Sequence, residues 1–522
     1  YVDEALVNYR RGMSTNLQSK KHNAPLCFLE AYYSAHKALV EKNVYDYIKK
    51  GFRSAVISGC LYNYDSYNYS DVASRQKLLE AFQEDKFSEL QLFSGEKEEY
   101  IDWNKVCRLK GLIEGFGWKK NLEEIRKNVE TRCVKERSAD IVPKVSVIIP
   151  CYNVENYVED CLESILNQTL HEIEVICVND GSIDSTEEVL LKIAQNDSRV
   201  AVYTQKNAGQ GAARNQAVKN ATGQYLYFMD SDDLLEKEAL KELYSLSDEK
   251  GLDVLYFDGT TFYESEELEI TKPAYKGYYQ RKFDYSGVEN GISMMVEMKK
   301  NAEYRQSPCL QFIRREYFVE KELWYLPGVW HEDNSFTFKT MLMAEKVAHI
   351  PAVYFKRRVR ANSVMTSDKK FIHSYGLFYN YFNMLNTVQN AKISIEQETV
   401  IMKVIEGVLN EARKKYRMLE DEEKYKYQCL EGIEKSLFYN WIVYSKYDVD
   451  EHVKNEKILK EKIKKLVEEQ KKAKTKINKL TKGQKKAKAE LKQIKRSRSY
   501  KLAVIIRKPF IWIKNIKKKW KK

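Results

Sequence analysis

Proline is scarce in this chain of 522 residues: there are 8, beside 21 glycines. That excludes collagen-like and Pro/Gly low-complexity architectures. The nine cysteines (27, 60, 107, 133, 151, 161, 177, 309 and 429) are odd in number and contain no CxxC. No Cys/His group has zinc spacing, so the thiols read as free and buried in a reducing cytosol, not as a disulfide framework or a metal knot. No apolar run approaches the ~18–20 residues that a spanning helix needs. No signal peptide is recognised either. The chain opens at Tyr1 in sequence that already has globular character, so an upstream segment that could carry targeting information is expected.

What is present is apolar and aromatic: 43% hydrophobic residues, 12% aromatics and 37 tyrosines. This is enough for real cores, and the length suggests two to four domains. The net charge of +13 is unevenly spread. Residues 451–522 hold 28 Lys and Arg against 6 Asp and Glu, whereas the other 450 carry 60 basic and 69 acidic side chains, a net −9. The chain reads as an acidic globular body with a basic tail that suits a polyanion.

Residues 1–115 have helical periodicity, as in Tyr45, Ile48, Phe52, Val56 and Ile57. Residues 116–143 are charged and read as a linker or connecting helix ending at Pro143. At Lys144 the pattern changes. Val145–Pro150, Ile173–Val178, Val200–Tyr203 and Gln224–Met229 read as strands, separated by helical stretches. That alternation predicts a parallel sheet with crossover helices, whose ligands bind at the carboxyl ends of the strands. Polar clusters occupy those ends: Tyr152 with Asn153, Asp180 with Ser182, Asn207 with Gly209, and Asp230 with Asp232.

Each cluster has a chemical reading beside a structural one. Asp230-Ser231-Asp232-Asp233 offers two carboxylates one residue apart, which can converge on Mg²⁺ or Mn²⁺ and through it hold a diphosphate. The same letters alone make a common turn. Asp180 can accept a base imide N–H, favouring uracil, or simply cap a turn before Gly181. Gly209 and Gly211 begin a GxGxxG pattern, but Arg214 stands at the third glycine, which argues against dinucleotide binding. Arg214 can instead reach a base or phosphate. Asp333, in His331-Glu332-Asp333 before an apolar helical stretch, is either a cap or a general base. Arg357, Arg358 and Arg360 form a basic loop that could clamp a diphosphate or be a solvated surface.

Residues 144–260 closely resemble the inverting family 2 glycosyltransferases of GT-A fold. The resemblance rests on Val145-Ser146-Val147-Ile148-Ile149-Pro150-Cys151-Tyr152-Asn153, Val178-Asn179-Asp180-Gly181-Ser182, Asn207 with Ala213-Arg214-Asn215, and Asp230-Ser231-Asp232-Asp233. It continues more weakly to about residue 370. It implies an α/β Rossmann-like GT-A domain over 144–370, with a nucleotide-sugar half (144–260) and an acceptor half (261–370). It also implies a nucleotide-diphospho-sugar donor, usually a uridine one. Carried onto this sequence, Pro150, Tyr152, Asn153, Asp180, Ser182, Asn207 and Arg214 would line the donor. Asp230 and Ser231 would face its ribose and diphosphate, with Arg357, Arg358 and Arg360 near the leaving group. Asp232 and Asp230 would hold the divalent cation, and Asp333 would be the catalytic base.

The flanks give further expectations. Asn8-Tyr9-Arg10-Arg11 with Lys20-Lys21 parallels Lys356-Arg357-Arg358 with Lys369-Lys370, which suggests that 1–115 is the tail of a preceding copy of the same domain. Residues 371–450 read as a helical extension. Ile463, Gln470, Ile477, Gln484 and Leu491, with Leu459, Leu466, Ala473, Leu480, Ala487 and Ile494, fit a coiled coil over 451–496 that could self-associate. Residues 497–522 interleave Ile and Trp with Lys, which suits a helix lying on an anionic membrane better than nucleic acid. The expectation is a cytoplasmic enzyme, peripheral at the inner face of the membrane, extending a glycan or lipid-linked acceptor of a bacterial surface polysaccharide. The alternative is a non-catalytic assembly protein built on a degenerate transferase domain.

Overall fold

The computed structural model describes residues 26–443, except 67–71, 95–96, 98–99, 101, 128, 139, 361–369, 390, 392 and 431. The expected coiled coil, the basic terminal segment and the first half of the internal similarity all lie outside the described residues.

The described residues open with five helices: α1 (Cys27–Glu41), α2 (Tyr45–Ser66), α3 (Val72–Ala81), α4 (Asp85–Ser88) and α5 (Trp103–Lys127). Phe28, Leu39, Phe52, Val56, Leu78, Leu109 and Leu112 share their core. In the stretch 116–143 the connecting-helix reading holds as far as Lys127, and a strand follows where a linker is the other reading. The first part of the stretch is the end of α5, where Leu122 is buried, and Thr131–Lys135 is an edge strand, β1. The charged letters up to Lys127 belong to a helix whose other side is packed, and those after it to the edge strand and its loop.

The sheet strands that follow are β2 (Val145–Cys151), β3 (Ile173–Asn179), β4 (Val200–Gln205), β5 (Tyr225–Phe228), β6 (Leu234–Leu235), β7 (Val254–Tyr263), β8 (Gln311–Arg314) and β9 (Val347–Val359). They join β1 in one mixed sheet of order β1-β4-β3-β2-β5-β8-β7-β9-β6. Pairings β4-β3, β3-β2 and β2-β5 are parallel, as are β7-β9; the remaining ones are antiparallel. Every residue of β2 and β3 is buried, as expected of a central parallel strand covered on both faces. Helices α6 (Val158–Leu166), α7 (Thr186–Asn196), α8 (Gln210–Lys219), α9 (Ala239–Lys250), α10 (Glu266–Thr271), α11 (Gly291–Lys300), α12 (Arg315–Glu320) and α13 (Asp333–Leu342) lie between them. This GT-A-like arrangement of a mixed sheet and helices agrees with the architecture the resemblance implies.

After β9 come α14 (Phe371–Val388), α15 (Ile395–Arg417) and α16 (Asp421–Tyr425). Helix α5 packs against α14 and α16, so the opening helices and the sheet share one compact unit that ends at Lys426. Trp118 meets the rings of Phe371 and Tyr375 at 4.7 and 4.6 Å. Gly111 and Gly115 form a notch on α5, since a Cβ there would sit 2.7 Å from the Glu422 carbonyl and 2.3 Å from that of Lys426. Ion pairs Lys110–Glu422 (2.7 Å) and Lys426–Glu114 (2.8 Å) flank the notch. A second unit begins at Tyr427. Its described part includes a 3-10 turn ending at Cys429, α17 (Gly432–Phe438) and a π-helical turn, with Tyr427 stacked on Phe438 at 3.9 Å. Among the described residues, no helix is long and apolar enough to cross a membrane.

Candidate active site

The four polar clusters fall at the carboxyl ends of the four neighbouring parallel strands. Tyr152 follows β2 and is 45% exposed. Asn153 and Ser182 stitch the loops after β2 and β3 together: the Asn153 N–H donates to Ser182 Oγ (3.1 Å), and Asn153 Oδ1 accepts from the Ile183 N–H (2.9 Å). Pro150 is buried within β2.

Asp180 is only 2% exposed. Its Oδ1 accepts from Gln205 Nε2 (2.7 Å) and the Ala208 N–H (2.8 Å), and its Oδ2 from the Gly209 N–H (2.9 Å). Burial raises its pKa, against the pull of these three donors. The carboxylate therefore shapes the loop after β4, and Oδ2 keeps a lone pair for a ligand donor. Asn207, on the same loop, is exposed.

Arg214 departs most from the simple reading. It is 2% exposed, not poised at the surface. Its Nη2 donates to Asp230 Oδ1 (2.6 Å) and its Nη1 to Glu332 Oε1 (2.8 Å), while the guanidinium lies 5.1 Å from the Tyr325 ring. It thus links the strand-end acid of β5 to the segment that carries Asp333. Glu332, Tyr325 and Gln205 are not marked by the sequence, because only the tertiary fold brings them to Arg214 and Asp180.

Asp333 is the first residue of α13. Burial, and next the Glu332 carboxylate, push its pKa up to about 7, although Arg214 opposes this. Its Oδ1 accepts from Asn334 Nδ2 (3.0 Å), and its Oδ2 accepts no hydrogen bond from the described residues. His331, two residues earlier, has φ +61, a conformation that costs a side-chain-bearing residue of the order of 1 kcal/mol.

The acids after β5 face different ways. Asp232 Oδ2 accepts from Arg360 Nε (2.7 Å), and its carbonyl from Arg358 Nε (2.9 Å). Asp233 is buried and accepts the Arg358 N–H (2.8 Å). Burial and the carboxylates of Asp232 and Asp230 hold its pKa well above the usual range. Side-chain oxygens of Asp230 and Asp233 lie within 4.8 Å of each other and of Cys309 Sγ. Of the pair that sequence expects to converge, Asp230 meets Arg214 and Asp232 meets Arg360. Carboxylate oxygens suit Mg²⁺ or Mn²⁺, and a cation here would relieve the crowding that raises the pKa of Asp233. Cys309 does not suit a hard cation, since burial raises its thiol pKa. Ser231 is buried between these acids in the chain.

The basic loop is also corrected. Arg357 and Arg358 lie on β9, paired with Thr261 and Phe262 of β7, and Arg360 follows the strand end. Arg357 hydrogen-bonds Tyr279, away from Asp232. Arg358 and Arg360 both pack near the Tyr157 ring, at 5.4 and 4.6 Å, and both hydrogen-bond Asp232.

Residues 146–315 match the family model "Glycosyl transferase family 2", and this segment is a family 2 glycosyltransferase domain. Glycosyltransferase GlyA of Streptococcus pneumoniae serotype 4 is 33% identical over 232 residues, which are 44% of this chain and 33% of that protein. Putative glycosyltransferase EpsH of Bacillus subtilis (strain 168) is 29% identical over 257 residues, 48% of this chain and 71% of that protein. The chain therefore spans about a third of GlyA. Among solved structures, S. aureus TarS 1-349 in complex with UDP aligns over 55% of this chain and 81% of that one, at 21% identity and TM-score 0.42.

Proposed function

We propose that this chain is an inverting glycosyltransferase that moves a sugar from a UDP-sugar to a hydroxyl of a glycan or lipid-linked acceptor, in bacterial surface polysaccharide synthesis. The observation that carries the reading is Asp333: a carboxylate with a pKa raised to about 7, linked through Glu332 and Arg214 to the acid at the end of β5. A base with a pKa near neutrality both accepts and keeps a proton in the working pH range.

In this reading Oδ2 of Asp333 takes the proton of the acceptor hydroxyl as its oxygen attacks the anomeric carbon. The attack comes from the face opposite the diphosphate, so configuration inverts in one displacement and no second carboxylate nucleophile is required. Asp180 Oδ2 and the loop it shapes hold the uracil, with Pro150, Tyr152, Asn153, Ser182 and Asn207 around the nucleoside. Asp230 and Ser231 face the ribose and diphosphate. Arg214 acts on the donor through Asp230, and Arg358 and Arg360 lie nearest the departing diphosphate. Asp230 and Asp232 would hold a Mn²⁺ or Mg²⁺ ion, which when bound supplies Lewis-acid stabilisation of negative charge on the leaving group. The basic residues 497–522 support a place at the inner face of an anionic membrane, each contributing about 1 kcal/mol near such a surface.

The test is a panel of nucleoside diphosphates with Mn²⁺, read by thermal midpoint, followed by turnover of UDP-sugars. UDP at about 100 times its Kd should stabilise the fold by about 2.7 kcal/mol. Asp232→Ala should lose the metal-dependent part, and Asp333→Asn should keep UDP binding while turnover falls at least about a hundredfold. Protection by another nucleotide would reassign the base contacts. A folded protein that no nucleotide protects would make the chain a non-catalytic tether.

A further inference from the structure

The segment from Tyr325 to Asp333 carries the proposed base but contains little regular structure of its own, so something outside it must fix its position. On one side, α14 holds it: Asn380 Nδ2 donates to the Trp330 carbonyl (3.1 Å), and Asn380 Oδ1 accepts from the Ser335 N–H (3.3 Å). On another, the Gly328 N–H donates to the Ala208 carbonyl (3.2 Å), in the loop that Asp180 shapes. The third side is α5. Gly328 has φ +65, and a Cβ there would lie 2.7 Å from Leu122 Cδ1 and 3.4 Å from Ile125 Cγ2. Leu122 is 2% exposed, and Arg126, on the next turn, lies 4.2 Å from the Tyr379 ring of α14. Beyond the helix end, Gln216 Nε2 of α8 donates to the Val129 carbonyl (3.0 Å). The last turns of α5 are thus pinned to α14, to α8 and to Gly328.

We propose that α5 is a brace for the active site: Leu122 and Ile125 are positioning residues that act through Gly328 to hold the Tyr325–Asp333 segment against the loop after β4. This rests on Asp333 being the base. The opening helices then belong to the working catalytic unit and are not a detachable neighbour. The physical argument is that a bare glycine backbone offers no side chain of its own for packing, so the position of the segment is set by what bears on it. A misplacement of about 1 Å far from the chemistry can lower turnover by about a hundredfold.

The test compares Leu122→Ala with Leu109→Ala in the full chain. Leu109 is equally buried, but in the core of the opening helices. Amide hydrogen exchange of peptides covering 325–335 should accelerate at least about tenfold in Leu122→Ala, with β3 and β4 unchanged, and remain at the wild-type rate in Leu109→Ala. Turnover of the UDP-sugar used by the wild type should drop at least about tenfold, with Kd for UDP within about twofold. Wild-type exchange in a folded Leu122→Ala, or equal acceleration in Leu109→Ala, would overturn the brace. If Leu122→Ala does not fold, Leu122→Val and Gly328→Ala take its place, and wild-type exchange at 325–335 in both would overturn it equally. Exchange does not depend on activity, so a wild type that neither binds UDP nor turns over defeats the functional reading and leaves the brace to be judged on exchange alone.

Discussion

Asp333 is placed at a cost that should be measurable without any substrate. Its pKa rises from an ordinary 3.8 to about 7, first because burial disfavours the charged form and next because Glu332 is beside it. The sign follows from proton counting. Between those two values the folded chain binds more protons than the unfolded chain, so stability falls as pH rises through that window. A tenfold change in proton affinity corresponds to about 1.4 kcal/mol, which sets a ceiling of about 4 kcal/mol well above pH 7. Between pH 5 and pH 8 the loss works out at about 2.5 kcal/mol. Asn at position 333 keeps the shape and never ionises, so it is spared this loss. The stability of Asp333→Asn relative to the wild type should therefore rise by about 2.5 kcal/mol from pH 5 to pH 8, whatever constant offset the substitution itself brings. Urea denaturation of both proteins at the two pH values, with EDTA and no nucleotide, measures this. The neighbouring acids titrate in both proteins and largely cancel. A difference that does not change with pH, or one that moves in favour of the wild type as pH rises, would refute the assignment of a crowded, desolvated carboxylate.

Two further outcomes concern Arg214 and Asp180. Arg214→Met removes the cation between Asp230 and Glu332 and leaves both carboxylates uncompensated, so urea denaturation at pH 7.5 should show a loss of about 3–5 kcal/mol; a loss below about 1 kcal/mol would mean that the two ion pairs contribute little. Asp180→Ala orphans the Ala208 and Gly209 N–H groups and Gln205 Nε2, at about 1–3 kcal/mol for each group left buried. Kd for UDP, measured by calorimetry, should weaken at least about tenfold; an unchanged Kd would mean that the loop keeps its shape without the carboxylate.

Much of the domain is legible in the sequence because its signals are local. Buried parallel strands are apolar on both faces, so Val145–Pro150 and Ile173–Val178 read as strands, and the polar letters that follow them fall where strand ends must be. Asp333 is legible as an acid opening an apolar helix. Residues 116–143 leave linker and helix open in the sequence, because charge density reports the solvent face of α5 and says nothing of the face that Leu122 buries. The edge strand Thr131–Lys135 is short, and its pairing with β4 is a tertiary fact.

By itself the sequence determined the four parallel strands between Val145 and Met229, their polar ends and the identity of the acids, since these depend on periodicity and on neighbours a few residues away. Tertiary structure alone decided which acid meets which arginine. Arg214 is joined to Glu332 across 118 residues, and Arg360 to Asp232 across 128. It also decided that Asp180 faces three donors and that Leu122 rests on Gly328. A carboxylate's pKa and orientation come from burial and from charges a few ångströms away, and distance along the chain does not encode either.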